Sequence, residues 1–381
     1  MVIGLVVSGS AAAGVASCGL AGGGTSEPIV VDGGRSEIVG ELGALVDRHG
    51  LPGAQVVVSD RGGSWVASAG VGDVEQRTPF PDEGRVRIGS NTKTFTATVI
   101  LQLVAEGKVD LDAPVERYLP GVVRGQGFDG NRITIRNLLQ HTSGLPEYGE
   151  LIDPQLRANP LTQFDTGELV RRALALPAVF EPGAQWSYSN TNYLVAAMVI
   201  EQVTASTIDR QITSRIIEPL GLRATYYPAR GETVLRDPHP SGYLLVDGKQ
   251  TDITRLEVSG AGAAGAMVST GADLNTFFTA LLSGRLLPPA QLAEMKRTVT
   301  IDAPGPPLGY GLGLMHRELS CGKDTWGHGG DIDGFQTRGG VTADGRAVTV
   351  SVNQIPSDLD AIDEIITDIM KVVDTALCAA P

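Results

Sequence analysis

Cysteine is scarce in this chain: three residues in 381, beside five histidines. That scarcity excludes a dense disulfide framework, and a chain of this length needs none, because it can bury a sufficient core without one. Neither residue type recurs at metal-ligand spacing, so a zinc-finger-like site is excluded as well. The sequence shows no repeat of fixed period and no long low-complexity tract, which excludes solenoid arrays. Charged side chains are sparse too, at 19% against 42% hydrophobic residues, where a disordered chain would show fewer apolar and more charged positions. The charge present leans to one sign, with a net value of -13 and a pI near 4.9. Such a field repels nucleic acid and anionic lipid, leaving small molecules or cell-wall polymers as the expected partners.

Charge is missing altogether from Met1 to Cys18, where an apolar Val2-Ile3-Gly4-Leu5-Val6-Val7 precedes a run of small residues, as in an export signal. The stretch is too short for a membrane span. Val15-Ala16-Ser17-Cys18 resembles a bacterial lipoprotein cleavage box, making Cys18 a candidate lipidation site and membrane tether. No Lys or Arg precedes the apolar run, which leaves a start site placed too far downstream, a weak signal, or no signal. The segment Gly22 to Pro28 reads as a flexible tether, so residues 1–35 are expected to lie outside the fold. Export, to the medium or to the outer face of the membrane, would put Cys321 and Cys378 in an oxidising compartment, which favours joining them. Closing that loop would stabilise the fold by about 4 kcal/mol in the chain-entropy model.

Apolar residues at helical spacing predict a helix over 36–48, and β-rich runs at 54–59 and 64–69 flank a turn at Asp60-Arg61-Gly62-Gly63. A second hairpin is expected at 337–342 and 347–352, and two hairpins at opposite ends of the chain suggest one antiparallel sheet. Ile362, Ile366, Ile369, Val373 and Leu377 share one face of a terminal helix. Phe95, Val99, Leu103 and Val104 predict a buried helix opened by Ser90 and stopped at Gly107. The stretch about 111–259 reads as a helical insertion between α/β parts at about 36–110 and 260–381.

Ser90 begins a Ser-x-x-Lys ending at Lys93, and three residues apart on a helix both side chains share a face. Serine is a poor nucleophile at neutral pH unless a neighbour accepts its proton, and a desolvated lysine can do so. The motif alone is weak, since it equally describes a helix-capping serine beside a solvated lysine. Tyr188-Ser189-Asn190 places a phenol and a carboxamide at the start of another helix, where simple capping is the bland alternative. Trp326-Gly327-His328-Gly329-Gly330 precedes the C-terminal hairpin, and its glycines would let a substrate backbone approach a strand edge. His328 on its own would pass for a turn histidine.

Together these elements resemble the serine β-lactamase and penicillin-binding superfamily, whose motif set is Ser-x-x-Lys, Ser- or Tyr-x-Asn, and Lys- or His-x-Gly. The Tyr and His variants point to the branch of class C β-lactamases, D-alanyl-D-alanine carboxypeptidases, D-aminopeptidases and related esterases. Leu138 to Leu145, Tyr188 to Tyr193, Tyr310 to Leu314 and Leu319 to Gly322 look like the actinomycete carboxypeptidase type. The resemblance implies an α/β sandwich, an antiparallel sheet flanked by helices, with an inserted all-helical subdomain. It also implies acyl transfer without a metal or organic cofactor. Lys93 and Tyr188 would share the general-base work on Ser90. The backbone N–H groups of Ser90 and Asp331, beside Gly330, would form the oxyanion site, Asn190 would bind the substrate amide and hold Lys93, and His328 would support Tyr188.

Two positions depart from the carboxypeptidase pattern. Met315 stands where an arginine would bind the terminal carboxylate of the substrate, and Asp331 would repel such a group unless Arg317 or another cation compensates. The leading expectation is a carboxypeptidase-like peptide hydrolase acting on a cell-wall peptide or similar acyl substrate. Its rivals are an esterase or D-aminopeptidase, a β-lactamase, and a non-catalytic binding protein of the same fold.

Overall fold

The computed structural model describes residues 33–301 and 307–379; Cys18 and the expected tether lie outside them. Two hairpins meet in one sheet. Gly53–Asp60 pairs with Gly63–Gly70 on one edge and with Ala347–Val352 on the other, in antiparallel register from Ala54 opposite Val352 to Ser59 opposite Ala347. Phe335–Thr342 follows, then Asp324–Gly327, Met315–Glu318, Leu308–Tyr310 and Val299–Ile301, while Gly330–Ile332 folds back onto Phe335–Thr342.

Strand alternation gives this sheet two different faces. Val56, Val58, Val348, Val350 and Val352 point to one side and pack against Ile38, Leu42 and Leu45 of helix Gly33–His49 and against Ile369 and Val373 of helix Leu359–Cys378. The terminal helix starts where the Asp358 side chain accepts the Ala361 N–H at 2.9 Å. Val57 points the other way, against helix Gly271–Leu282: a Cβ on Gly271 would stand 2.7 Å from Val57 Cγ2. Cys321 and Cys378, 57 residues apart, are joined by a disulfide with Cα atoms 5.9 Å apart.

On the second side runs helix Thr92–Ala105, buried from Thr92 through Leu101. A helix buried all round lies in a core, so its polar side chains need partners there. Two of its threonines bond to distant parts of the chain, Thr94 Oγ1 to the Gly313 carbonyl at 2.7 Å and Thr96 Oγ1 to that of Ala263 at 2.9 Å. Beyond it, helices Gly149–Ala158, Thr166–Leu174 and Thr191–Thr204 dominate the stretch expected to be helical. That stretch is not helical throughout. Tyr243–Val246 and Lys249–Asp252 form a hairpin around Asp247-Gly248, both at positive φ, and Gln354–Pro356 joins it in parallel. An Asp-Gly pair after a short apolar run is a hairpin signal that outweighs the helical patterns around it.

Candidate active site

Strand Val86–Arg87 pairs with Val268–Ser269 and leads into the tight turn Gly89–Asn91 from which helix Thr92–Ala105 grows. Ser90 sits in this turn. Gly89 has φ +47°, and a Cβ there would lie 2.8 Å from the Asp331 nitrogen, so only glycine suits the position. Gly330 makes room from the other side, since a Cβ on it would stand 1.9 Å from the Ile88 carbonyl oxygen. What approaches Gly330 so closely is therefore the nucleophile turn itself, where the sequence suggested a substrate backbone. Asn91 Nδ2 pins the turn to the sheet by donating to Thr337 Oγ1 at 2.7 Å and to the Ile88 carbonyl at 3.0 Å.

Lys93 is fully buried, so the solvated-lysine alternative fails. Its Nζ stands 2.7 Å from Asn190 Oδ1, 2.7 Å from the Ala264 carbonyl oxygen and 3.0 Å from Ser90 Oγ. Two of these neighbours can only accept, so they take two N–H groups and leave the third direction to Ser90. In the neutral amine that direction is the lone pair, aimed at the serine proton. Burial supplies the neutral amine by pushing the Lys93 ammonium down to about 7, against the fields of Glu147 and Asp331, which hold it up.

Glu147 completes this arm, and nothing in the sequence marked it. Its Oε2 accepts both the backbone N–H of Asn190 at 2.6 Å and the Asn190 amide Nδ2 at 3.0 Å, while Oε1 accepts the Gly149 N–H at 2.7 Å. These donors fix which way the Asn190 amide faces and so present Oδ1 to Lys93. Burial raises the Glu147 carboxyl, opposed by the hydrogen bonds from Asn190 and Gly149 and by the Lys93 charge.

Tyr188 lies on the other side of Lys93, with Nζ 4.7 Å from its ring centre. Burial holds its phenol well above the ordinary value, with Ser90 pulling the other way through hydrogen bonding, so Tyr188 presents O–H and not phenolate. His328 does not support it as expected: His328 Nε2 lies 3.0 Å from Tyr310 Oη, and Nδ1 lies 2.6 Å from the Gly329 carbonyl oxygen. Only a protonated Nδ1 can donate to that carbonyl, so in neutral His328 Nε2 accepts from Tyr310. Tyr310 Oη is also 3.2 Å from His141 Nε2, while His141 Nδ1 accepts the Ser189 N–H at 3.2 Å. Burial drives His141 well below its usual value and His328 down to about 3, so both imidazoles are neutral. The histidines thus orient Tyr310 and the Ser189-Asn190 backbone, and the chain from Ser189 to Gly329 has one direction of donation.

Asp331 is compensated, though by Arg338 and not Arg317. Arg338 Nη2 meets Asp331 Oδ2 at 2.8 Å, and Nη1 donates to the carbonyls of Thr337 at 2.8 Å and Gly330 at 3.2 Å. Ser90, Tyr188, Tyr310, Met315, His328, Asp331 and Arg338 line one pocket with Trp186 and Gly329. The structure therefore brings Ser90, Lys93, Tyr188, Asn190, His328, Gly330 and Asp331 together, leaves Arg317 out, and adds Glu147, His141, Tyr310 and Arg338. His141 and Tyr310 stood in the signature stretches without a role. Among the described residues, no group of three or more His, Cys, Asp and Glu side chains could hold a metal ion.

The β-lactamase family model matches residues 38–367. The chain belongs to the β-lactamase family. Its fold is shared with a D-stereospecific amidohydrolase from a Streptomyces species, at 41% identity and a TM-score of 0.82, covering 91% of this chain and 99% of the other. It is similar also to the D-amino acid amidase of Ochrobactrum anthropi solved with L-phenylalanine amide, at 28% identity and a TM-score of 0.78, covering 90% and 98%. Esterase EstB of Burkholderia gladioli is 30% identical over 308 residues, 72% of this chain and 77% of the esterase. The unguisins hydrolase of Aspergillus campestris is 30% identical over 314 residues, and the match takes in 77% of this chain but 56% of that longer protein. This β-lactamase-family protein is a serine hydrolase by family and by its neighbours.

Proposed function

We propose that this protein hydrolyses amide or ester bonds of small substrates whose acyl part is a D-amino-acid residue, through an acyl-enzyme on Ser90. The observation that carries this reading is the Lys93 amine, buried and held by two pure acceptors so that its third valence meets Ser90 Oγ at 3.0 Å. As Oγ attacks the substrate carbonyl, its proton passes to Lys93 and the oxyanion is received by the backbone N–H groups of Ser90 and Asp331. Tyr188, kept as a phenol, gives its proton to the leaving nitrogen or oxygen and recovers one from Lys93. Water then attacks the ester by the reverse proton path and frees the acid.

The pocket favours this substrate class over a peptide with a free terminal carboxylate. Met315 lines it where a cation would be needed, and the Arg338 guanidinium already serves Asp331 and two carbonyls. An incoming carboxylate would displace a neutralised pair or meet Asp331. The two amide-hydrolysing neighbours support the D-configuration. We further propose that the protein works outside the cytoplasm, a reading supported by the Cys321–Cys378 disulfide.

Rates on D-phenylalanine amide, its L-enantiomer, a p-nitrophenyl ester, a chromogenic cephalosporin and a peptide ending in D-alanyl-D-alanine test the proposal. The expected order places the D-amide or the ester first, with the D-amide ahead of the L-amide by at least about 10-fold. A higher kcat/KM for the free-carboxylate peptide would restore the carboxypeptidase reading, and faster turnover of the cephalosporin the β-lactamase one.

A further inference from the structure

We infer that Glu147 is a positioning residue for the reaction: through Asn190 it aims the Lys93 amine at Ser90, and its negative charge sets the pH at which that amine becomes free to accept the serine proton. The inference rests on Lys93 acting as the base. Its geometry is a relay of short contacts. Glu147 Oε2 holds the Asn190 amide at 3.0 Å and its backbone N–H at 2.6 Å, and Asn190 Oδ1 then stands 2.7 Å from Lys93 Nζ. A carboxylate cannot donate, so the edge of the amide facing Glu147 must be the NH2 and the edge facing Lys93 the oxygen. Without that acceptor the amide could turn over and present N–H groups to the amine, which would withdraw one of its two fixed acceptors.

The charge acts in the same place. Lys93 is fully buried and Glu147 only partly exposed, so their attraction is weakly screened and favours the ammonium, the form that cannot accept a proton. The other groups facing the amine do not duplicate this. Tyr188 and Tyr193 are held as phenols and His141 and His328 as neutral imidazoles, while Asp331, which also favours the ammonium, is paired with Arg338. Tyr148 and Tyr188, which adjoin Glu147, stay protonated by burial. Glu147 is thus the unpaired anion in the relay that touches Asn190.

Glu147→Gln keeps an oxygen for Asn190 and removes the charge, whereas Glu147→Met removes both. In the full chain, Glu147→Gln should move the acid limb of kcat/KM to lower pH by about one unit, about a 10-fold gain relative to its own plateau below the limb. The plateau itself should fall only severalfold. Glu147→Met should lose activity at every pH, and Glu147→Asp should recover part of it. The pH profile is taken on a p-nitrophenyl ester without an amino group, and the Lys93 titration is followed directly by NMR of the 13Cε-labelled lysine, assigned with Lys93→Arg. A Lys93 titration unmoved by Glu147→Gln overturns the inference, as does a loss confined to substrates bearing an α-amino group, which would make Glu147 a substrate ligand. A titration that moves while the kinetic limb stays put supports the coupling and instead removes Lys93 from the base role.

Discussion

The two faces of the large sheet are built from opposite materials. Against one face, helices Gly33–His49 and Leu359–Cys378 pack aliphatic side chains onto Val56, Val58, Val348 and Val350, and hydrocarbon contact accounts for the whole cluster. Toward the other face, buried Lys93, Asn190, His141 and His328 stand among apolar neighbours, while the Asp331–Arg338 pair lies at the border of the aliphatic side, with Arg338 opposite Val350. Apolar burial is stabilising at about 25 cal/mol per Å² with no directional demand, whereas each buried polar group must be met by a partner or it costs stability. The first face can hold the fold while the second holds groups in geometries that a free chain would not choose. Stability and chemistry thus draw largely on different sides of one sheet, meeting at the Asp331–Arg338 pair, and substitutions should sort accordingly.

The sharpest break between the two comes from Ser90→Ala. Acylation by a fluorophosphonate or β-lactam probe, read by intact mass, should disappear, and kcat should fall by about 10⁴-fold or more, as for loss of other serine nucleophiles. Thermal melting should stay close to the parent, because the change removes one hydroxyl from a pocket wall. Labelling retained at another residue would move the nucleophile elsewhere. Lys93→Met should come next, with acylation slowed about 10²- to 10⁴-fold, the usual worth of a general base. Here melting should also drop, since Asn190 Oδ1 and the Ala264 carbonyl lose their donor. A Lys93→Met protein with parental rates would end the base assignment.

This division also explains what could be read in the sequence. The aliphatic face announces itself by period: the two hairpins and the terminal helix with Ile362, Ile366 and Ile369 on one side all follow from spacing alone. Ser90, Lys93, Tyr188, Asn190 and His328 were legible because chemistry limits their types and order. Glu147 was not, being one acid in a loop whose meaning lies in an amide 43 residues away. Arg338 was hidden for the same reason, on a strand whose alternation gave no hint that it would face Asp331. The resemblance implied Tyr188 as the partner of His328, whereas the imidazole meets Tyr310, because which phenol it reaches is set by how strand Leu308–Tyr310 packs beside it.

Ile369→Ala probes the aliphatic face. It should cost about 2–5 kcal/mol of stability by opening a cavity against the sheet, while kcat/KM below the melting transition stays at the parental value. A matching loss of activity in the folded enzyme would show that the two faces are mechanically coupled.

The smallest effect expected is a pH slope, and it belongs to the polar side alone. His141 and His328 are neutral in the native protein well below the value near 6.5 at which unfolded imidazole titrates. Between that value and about 3, where His328 titrates natively, the unfolded chain binds protons that the native one refuses. Stability is therefore fully present above about 6.5 and is lost as pH falls, at up to about 1.4 kcal/mol per pH unit for each imidazole. Melting temperatures measured between pH 7.5 and 5 should show this slope, and His328→Asn should flatten it by removing one titrating ring. Ile369→Ala should lower the whole curve without changing its steepness, because no proton is bound or released by the hydrocarbon it deletes. Parallel curves for parent and His328→Asn would mean that the imidazole is free to charge in the native state, and the directed chain from Ser189 through Tyr310 to Gly329 would then lose its basis.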